Sequence, residues 1–209
     1  MSKPRLILIG AGGHAHACID VIEEQGRYQI AGLVGMPEEM DTYHLGYPVI
    51  GSDDSLLQLA KMYQYALITV GQIRSPERRI RLYQRVAALG FELPVVIAPC
   101  AHVSRHATIG AGTIVMHGAI VNAGATVGIN CIINTRALLE HDTTVQDHCH
   151  ISTGAILNGG VHVGTGSFIG SSSVIKESIT LGKRCVVGMG LSVRGNQTDD
   201  AQFVGNVNT

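Results

Sequence analysis

The stretch that decides the fold is residues 127–163, VGINCIINTRALLEHDTTVQDHCHISTGAILNGGVHV. Every sixth residue in it is Ile, Leu or Val, and this register continues without a break from residue 97 to residue 193. The aliphatic positions are Ile97, Val103, Ile109, Val115, Val121, Val127, Ile133, Leu139, Val145, Ile151, Leu157, Val163, Ile169, Ile175, Leu181, Val187 and Val193. A period of six fits a short strand plus a turn, and three such units close one coil. We therefore expect residues 97–195 to form a parallel β-helix, in which aliphatic residues stack at intervals of 18.

A second regularity concerns the residue two places before each aliphatic position, which is usually small and which we expect to fit where the wall bends. Cys131, Cys149 and Cys185 occupy this slot, so we interpret them as small buried residues. The chain has five cysteines and no CxxC pair, which argues against a disulfide framework and a zinc knuckle. The cysteines are predicted to be reduced and mostly buried.

The first 96 residues follow a different rhythm, in which predicted strands and helices alternate. Strands are expected at Arg5–Gly10, Tyr28–Val34 and Ala66–Val70, and helices from His14 to Gln25, from Ser52 to Lys61 and from Ser75 to Gly90. This alternation predicts a small parallel sheet covered by helices, a Rossmann-like α/β domain. We therefore divide the chain into residues 1–96, 97–195 and a C-terminal tail, 196–209.

A glycine-rich turn, GAGGHA, lies between the first predicted strand and helix. Its glycines, Gly10, Gly12 and Gly13, let backbone N–H groups approach a phosphate at the helix start, and His14 follows them. A dinucleotide site also requires an acidic residue at the end of the second strand, but this chain has Val34-Gly35-Met36 there. A nucleoside diphosphate, such as that of a nucleotide sugar, is therefore favoured over NAD; the alternative is a tight turn without a ligand.

Charge and hydropathy narrow the remaining classes of function. The formal net charge is −1, with no basic surface for a nucleic acid. The apolar run after MSKPR is too short for a signal peptide or a membrane span, so we expect a cytoplasmic protein without membrane insertion.

Polar residues interrupt the β-helix most densely at Asn134, at Glu140-His141-Asp142, and at His148 and His150. In the six-residue lattice, His141 stands two places past Leu139, at a turn, and Gly159 lies one coil further on. A base beside an N–H donor is the minimum that acyl transfer requires. The alternative for His141 is an exposed histidine at a coil corner, and for His150 the two interpretations are equally balanced. His148, His162, His117, His106 and His102 are taken as surface residues.

Over nearly its whole length the chain resembles the NeuD/PglD-type bacterial sugar acetyltransferases. The resemblance rests on Gly10–His14 (GAGGH), Gly71–Arg74 (GQIR), Asn134-Thr135, Glu140-His141-Asp142 and His150–Ala155 (HISTGA). It implies a left-handed β-helix behind a Rossmann-like domain and a homotrimer. It also implies acetyl-CoA as co-substrate without a metal, and a nucleotide-activated amino sugar or sialic acid as acceptor.

For the catalytic residues, the resemblance implies that His141 is the general base and that Asp142 or Glu140 orients it. Because the family more often has Glu at the position of Asp142, the shorter acid is expected to shift the orienting role toward Glu140. The resemblance further implies that Asn134 assists from a neighbouring protomer and that the N–H of Gly159 holds the oxyanion.

For the co-substrate, the resemblance implies that His150 contacts the thioester region of acetyl-CoA. The pantetheine is expected to lie in a groove between protomers and to run past Gly170 and Gly188.

The chain departs from the family pattern at two places. An acidic pair commonly follows the second strand, whereas residues 35–39 read GMPEE, which leaves open how the nucleotide is bound. The usual C-terminal GxPAK-like segment is replaced by VGNVN at residues 204–208, which leaves the contact of the tail with CoA open.

Three other functions are weighed against acetylation of a nucleotide-linked amino sugar. The first is O-acetylation of sialic acid. The second is a β-helix zinc carbonic anhydrase, but this sequence does not contain the histidine spacing expected of its zinc site. The third is a non-catalytic trimeric scaffold, against which His141 and its acidic neighbours argue.

Overall fold

A computed structural model of the chain describes residues 2–204 and divides them into two compact units. The first unit contains the residues up to Gly71 together with Glu77–Pro99, and the second contains Gln72–Pro76 and the residues from Cys100 onward. The segment Gln72–Pro76 thus packs with the second unit, although it lies well before the boundary expected at residue 97. In the described chain, no helix is long and apolar enough to cross a membrane.

The first unit is an α/β domain with a mixed sheet in the order β3-β4-β2-β1-β5. Only the pairing of β3 with β4 is antiparallel; the other strand pairs are parallel. Its helices and strands are β1 Arg5–Ile9, α1 Gly13–Gln25, β2 Gln29–Gly35, β3 Tyr43–His44, β4 Tyr47–Ser52, α2 Leu56–Leu59, β5 Tyr65–Ile68, α3 Glu77–Ala88 and β6 Val96–Ile97.

The helix expected from Ser52 to Lys61 is much shorter in the structure. Asp53–Ser55 form a 3-10 turn, and α2 covers only Leu56–Leu59. The hydroxyl of Ser55 accepts a hydrogen bond from the backbone N–H of Ser52, at 3.3 Å. Short polar side chains of this kind compete with the regular backbone hydrogen bonds of a helix.

The core of the first unit forms where the central strands meet the helices. Buried side chains of β1, β2 and β5 pack against α2 and α3, with Ile7, Ile68 and Leu56 at its centre. Gly10 follows β1 at φ +123°, and a Cβ there would lie 2.7 Å from Cγ2 of Val70. This turn therefore requires glycine.

The second unit is a parallel β-helix in which each two-residue strand from β7 to β19 pairs with the strand three further along the chain. Val121 lies beside Val103 on one side and Leu139 on the other, which confirms the predicted stacking interval of 18 residues. The strands are β7 His102–Val103, β8 Thr108–Ile109, β9 Ile114–Val115, β10 Ile120–Val121, β11 Thr126–Val127, β12 Ile132–Ile133, β13 Leu138–Leu139, β14 Thr144–Val145, β15 His150–Ile151, β16 Ile156–Leu157, β17 His162–Val163, β18 Phe168–Ile169, β19 Val174–Ile175, β20 Thr180–Leu181, β21 Val186–Val187, β22 Ser192–Val193 and β23 Gln202–Phe203.

The aliphatic positions from Val115 to Val193 are buried, and so are the small positions from Thr113 onward. Cys131, Cys149 and Cys185 lie in that small slot, as expected. The strand β23 pairs with β21, so part of the predicted tail adds to the β-helix. Residues 205–208 of the unusual C-terminal segment lie outside the described residues.

Candidate active site

The histidine singled out from the sequence lies at an edge of the β-helix, in the turn between β13 and β14. Asp142 has φ 59°, a left-handed conformation that short polar residues tolerate, and this conformation closes the turn. Nδ1 of His141 lies 2.9 Å from Oδ2 of Asp142. Both side chains are well exposed, at 68% and 73%. The histidine and the neighbouring acid are therefore in contact and open to a ligand.

Gly159 stands one coil beyond His141, as the lattice predicts. The N–H of Gly160 donates to the carbonyl of His141 at 2.9 Å, which joins the two coils. A Cβ at Gly159 would lie 2.6 Å from Nε2 of His141 and 2.7 Å from Cε1. The imidazole thus lies directly against the Gly159 backbone, a position that a side chain would fill.

The acids on either side of the histidine set its charge state. The hydrogen bond to Asp142 raises the pKa of His141, and the negative charges of Asp142 and Glu140 act in the same direction. The carboxylate of Glu140 accepts a hydrogen bond from Nδ2 of Asn122 at 3.0 Å. In the structure, Asp142 is the hydrogen-bonding partner of the ring, and Glu140 contributes charge alone.

Asn134 and His150 form a second cluster at a different edge of the β-helix, where β12 leads into β13. Nδ2 of Asn134 lies 3.1 Å from Nε2 of His150. Nδ1 of His150 lies 2.6 Å from the backbone carbonyl of Gln72, which can only accept. The proton is therefore on Nδ1, and Nε2 accepts a hydrogen bond from the side-chain amide of Asn134. Within one chain, these residues and His141 lie at different edges.

Sequence reasoning gave no role to Gln72, although it begins the segment QIR in the motif GQIR. Its side chain is buried at 3% exposure, and its Nε2 donates to the carbonyl of Gly166 at 3.2 Å. Gln72 therefore holds the ring of His150 through its backbone carbonyl, and Phe168 packs edge-on at 5.2 Å between ring centres.

Gly170 and Gly188 continue the edge that carries Asn134, because each follows a strand of the sheet that contains β12, β18 and β21. A Cβ at Gly170 would lie 2.6 Å from the carbonyl carbon of Gly188. The two glycines thus bring the backbones of successive coils close together and leave this part of the edge without side chains.

The remaining histidines differ from the expectation in one case. His148 was predicted to be a surface residue, but it is only 9% exposed. Its backbone is left-handed at φ 58°, and its Nδ1 receives the side-chain amide of Asn130 at 3.0 Å. This contact with the preceding coil explains why the ring is buried.

The first unit contains a pocket of about 350 Å³ at the glycine turn. Gly10, Gly12, Gly13 and His14 all line it. Gly12 caps α1 without a side-chain hydrogen bond, so the positive end of the helix faces the pocket. His14 also lies 3.5 Å from Sγ of Cys18. Burial raises the pKa of Cys18 to about 12, so this group is a neutral thiol.

Comparison with known proteins supports the fold of both units. A family model of the PglD N-terminal domain matches residues 5–86, and one of the hexapeptide repeat of succinyl-transferase matches residues 160–194. A mutant of perosamine N-acetyltransferase from Caulobacter crescentus, in complex with CoA and GDP-perosamine, is 30% identical with a TM-score of 0.91. The match covers 98% of this chain and 95% of that one. The chain belongs to the NeuD/PglD family of acetyltransferases.

A second member of the NeuD/PglD family is similarly close. The acetyltransferase domain of PglB from Neisseria gonorrhoeae FA1090, in complex with acetyl coenzyme A, is 32% identical with a TM-score of 0.88. The match covers 96% of each chain. A search of the curated proteins gave no significant match. Membership of the family makes the protein an acyltransferase and disfavours the carbonic anhydrase and scaffold alternatives.

Proposed function

We propose that the protein transfers the acetyl group of acetyl-CoA directly to an amino group of a nucleotide-linked amino sugar. The observation that carries this proposal is the imidazole of His141, held by Asp142 and lying against the backbone of Gly159. Family membership and relatives bound to CoA, acetyl-CoA or GDP-perosamine support it.

The reaction begins at Nε2 of His141, which is the free ring nitrogen because Nδ1 faces Asp142. Nε2 removes a proton as the neutral sugar amine attacks the thioester carbonyl, and Asp142 stabilises the imidazolium that forms. General base catalysis of this kind contributes about 10²- to 10⁴-fold. The tetrahedral intermediate then collapses, the C–S bond breaks, and the imidazolium protonates the departing thiolate of CoA. No acyl-enzyme forms.

The developing oxyanion needs a donor close to the base. Among residues 2–204, the backbone N–H of Gly159 donates to no other group. Loss of one such donor costs about 10²- to 10³-fold in well-studied hydrolases. We therefore assign the oxyanion to Gly159.

We place acetyl-CoA along the second edge of the β-helix. Asn134 and His150 lie at its start, and Gly170 and Gly188 continue it. Because Nδ1 of His150 is bound to Gln72, its Nε2 accepts a hydrogen bond from the amide of Asn134. We place the thioester region beside this pair. The glycines give the pantetheine a surface without side chains.

A complete site then requires a second copy of the chain. His141 and Asn134 lie at different edges of one β-helix, so each can meet the other only across an interface between protomers. A cyclic trimer repeats that interface three times and closes. We therefore propose a homotrimer with three sites between protomers; a cytoplasmic location stays a prediction.

The acceptor is tested by offering acetyl-CoA with a panel of UDP-, GDP- and dTDP-linked amino sugars and with sialic acid. We expect mass spectrometry to find one acetyl group added to the nitrogen of a nucleotide amino sugar. Acetylation of sialic acid alone, or of no acceptor by a protein that still binds acetyl-CoA, would contradict the proposal.

A further inference from the structure

The pocket at the glycine turn contains an acid that the sequence pattern does not predict. Glu39 lines this pocket together with Gly10–His14, Asp53 and Arg78. It belongs to the 3-10 turn Pro37–Glu39, which follows the end of β2. The carboxylate is therefore at the strand end where a nucleotide-binding α/β domain places its acid, although its position in the sequence is later.

The carboxylate of Glu39 is fixed by the backbone around it. Its Oε2 accepts a hydrogen bond from the N–H of Met36 at 2.7 Å. The backbone N–H of Glu39 donates to the carbonyl of Met36 at 2.9 Å, and the hydroxyl of Thr42 donates to the carbonyl of Glu39 at 2.6 Å. Oε1 makes no hydrogen bond within the described part of the chain, so it is available to a ligand.

Gly35 explains why the acid can occupy this place. A Cβ at Gly35 would lie 2.7 Å from Oε2 of Glu39 and 3.2 Å from Cβ of Ala11 in the glycine turn. A side chain at Gly35 and the carboxylate of Glu39 thus compete for one volume beside the turn. The chain lacks an acid at residue 35 and fills that volume with the acid at residue 39.

We propose that Glu39 is the residue that binds the ribose hydroxyls of the nucleotide and that it selects ribonucleotides over 2′-deoxyribonucleotides. The inference rests on the proposed function only in taking the acceptor to be nucleotide-linked. With the diphosphate at the start of α1, the ribose is directed toward the end of β2, as in other α/β folds that bind nucleotides at this edge. Oε1 then accepts from the 2′-hydroxyl while Oε2 stays on Met36.

The test measures equilibrium binding of ADP, GDP, UDP and CDP to the full chain by calorimetry, followed by the 2′-deoxy form of the tightest ligand. Because a hydrogen bond to a charged group is at stake, we expect the ribonucleotide to bind at least about tenfold more tightly. Glu39→Gln keeps an oxygen for Met36 but presents a neutral NH2 in place of the charged acceptor, so the 2′-hydroxyl could only accept a weaker hydrogen bond and the preference should fall to a few-fold. The neighbouring Glu38→Gln, at an exposed position outside the pocket, should keep it.

A rescue variant separates binding from folding. Gly35→Asp alone collides with Glu39 and should weaken binding. Gly35→Asp combined with Glu39→Ala moves the acid back to the strand end and should restore the preference for ribose.

The proposal is overturned if the unaltered protein binds the two sugar forms equally or binds no nucleoside diphosphate. It is also overturned if Glu39→Gln keeps the preference, which would favour Asp53 as the acid. Binding of acetyl-CoA and acetyl transfer are measured separately, so the proposed function can fail while this inference stands, and the reverse.

Discussion

At the scale of single residues, the proposed base, His141, depends on its contact with Asp142 for the pH range in which it can accept a proton. The hydrogen bond to Asp142 raises the pKa of His141, so the ring stays protonated, and inactive as a base, up to a higher pH than an ordinary histidine. The rate should therefore rise with pH as the proton leaves.

Replacing Asp142 with Asn removes that stabilisation and lowers the pKa of His141. We expect the acidic limb of kcat/KM against pH to move to lower pH, while the plateau falls about 10- to 100-fold because the imidazolium is less stabilised. Asn tolerates the left-handed backbone of this position. Glu140→Gln, which removes charge alone, should move the limb less. If the acidic limb of kcat/KM does not move in Asp142→Asn, the contact between His141 and Asp142 does not determine the pH dependence of the reaction.

Gly159→Ala places a Cβ 2.6 Å from Nε2 of His141 and must push the ring aside. A displacement of this size should reduce kcat/KM about 100-fold without changing the thermal midpoint of unfolding much. Gly195→Ala is the matched control, because nothing lies within 4 Å of a Cβ there. Equal activity in the two variants would remove Gly159 from the site.

The residues of this site differ in how far sequence reasoning reaches them. His141 and Gly159 could be paired because the lattice fixes positions 18 apart. Glu39 and Gln72 could not be placed, because their contacts with Met36 and His150 depend on how a short turn and a loop fold back. The choice of Asp142 over Glu140 as the ring's partner likewise depends on a left-handed turn geometry that the sequence does not show.

At the scale of elements, the β-helix was largely predictable and the sheet of the first unit only partly. The six-residue period repeats one local geometry, so each coil confirms the register of the next. The strand β4 was missed because Pro48 and Gly51 interrupt its apolar pattern; the strand forms by pairing with β2. The left-handed turn positions, such as Arg136 and His148, follow the same period but carry unrelated residue types.

The accessibility of the five cysteines tests how closely the coils are packed. Burial raises the pKa of Cys149 well above its usual value, and Cys18, Cys131 and Cys185 are also buried, whereas Cys100 is exposed. We expect an aromatic disulfide reagent to label one thiol per native chain quickly and the other four only after unfolding. Cys100→Ser should abolish the fast phase. Rapid labelling of two or more thiols in that variant would show that the coils are not closely packed.

At the scale of the whole molecule, the claim is that each site takes His141 from one protomer and Asn134 from the next. Co-expression of His141→Ala and Asn134→Ala chains, each of low activity alone, should give mixed trimers. In random mixtures about a quarter of the interfaces combine both unaltered edges, so about a quarter of full activity should return. Activity no higher than the mean of the two separate variants would place the whole site within one chain.

The measurement that tests the central claim most directly is thiol release from acetyl-CoA by His141→Ala, with a nucleotide amino sugar as acceptor. We predict a fall in kcat/KM of about 100-fold or more, with acetyl-CoA affinity unchanged because the co-substrate lies along the other edge. Turnover within a few-fold of the unaltered enzyme would contradict the assignment of His141 as the base.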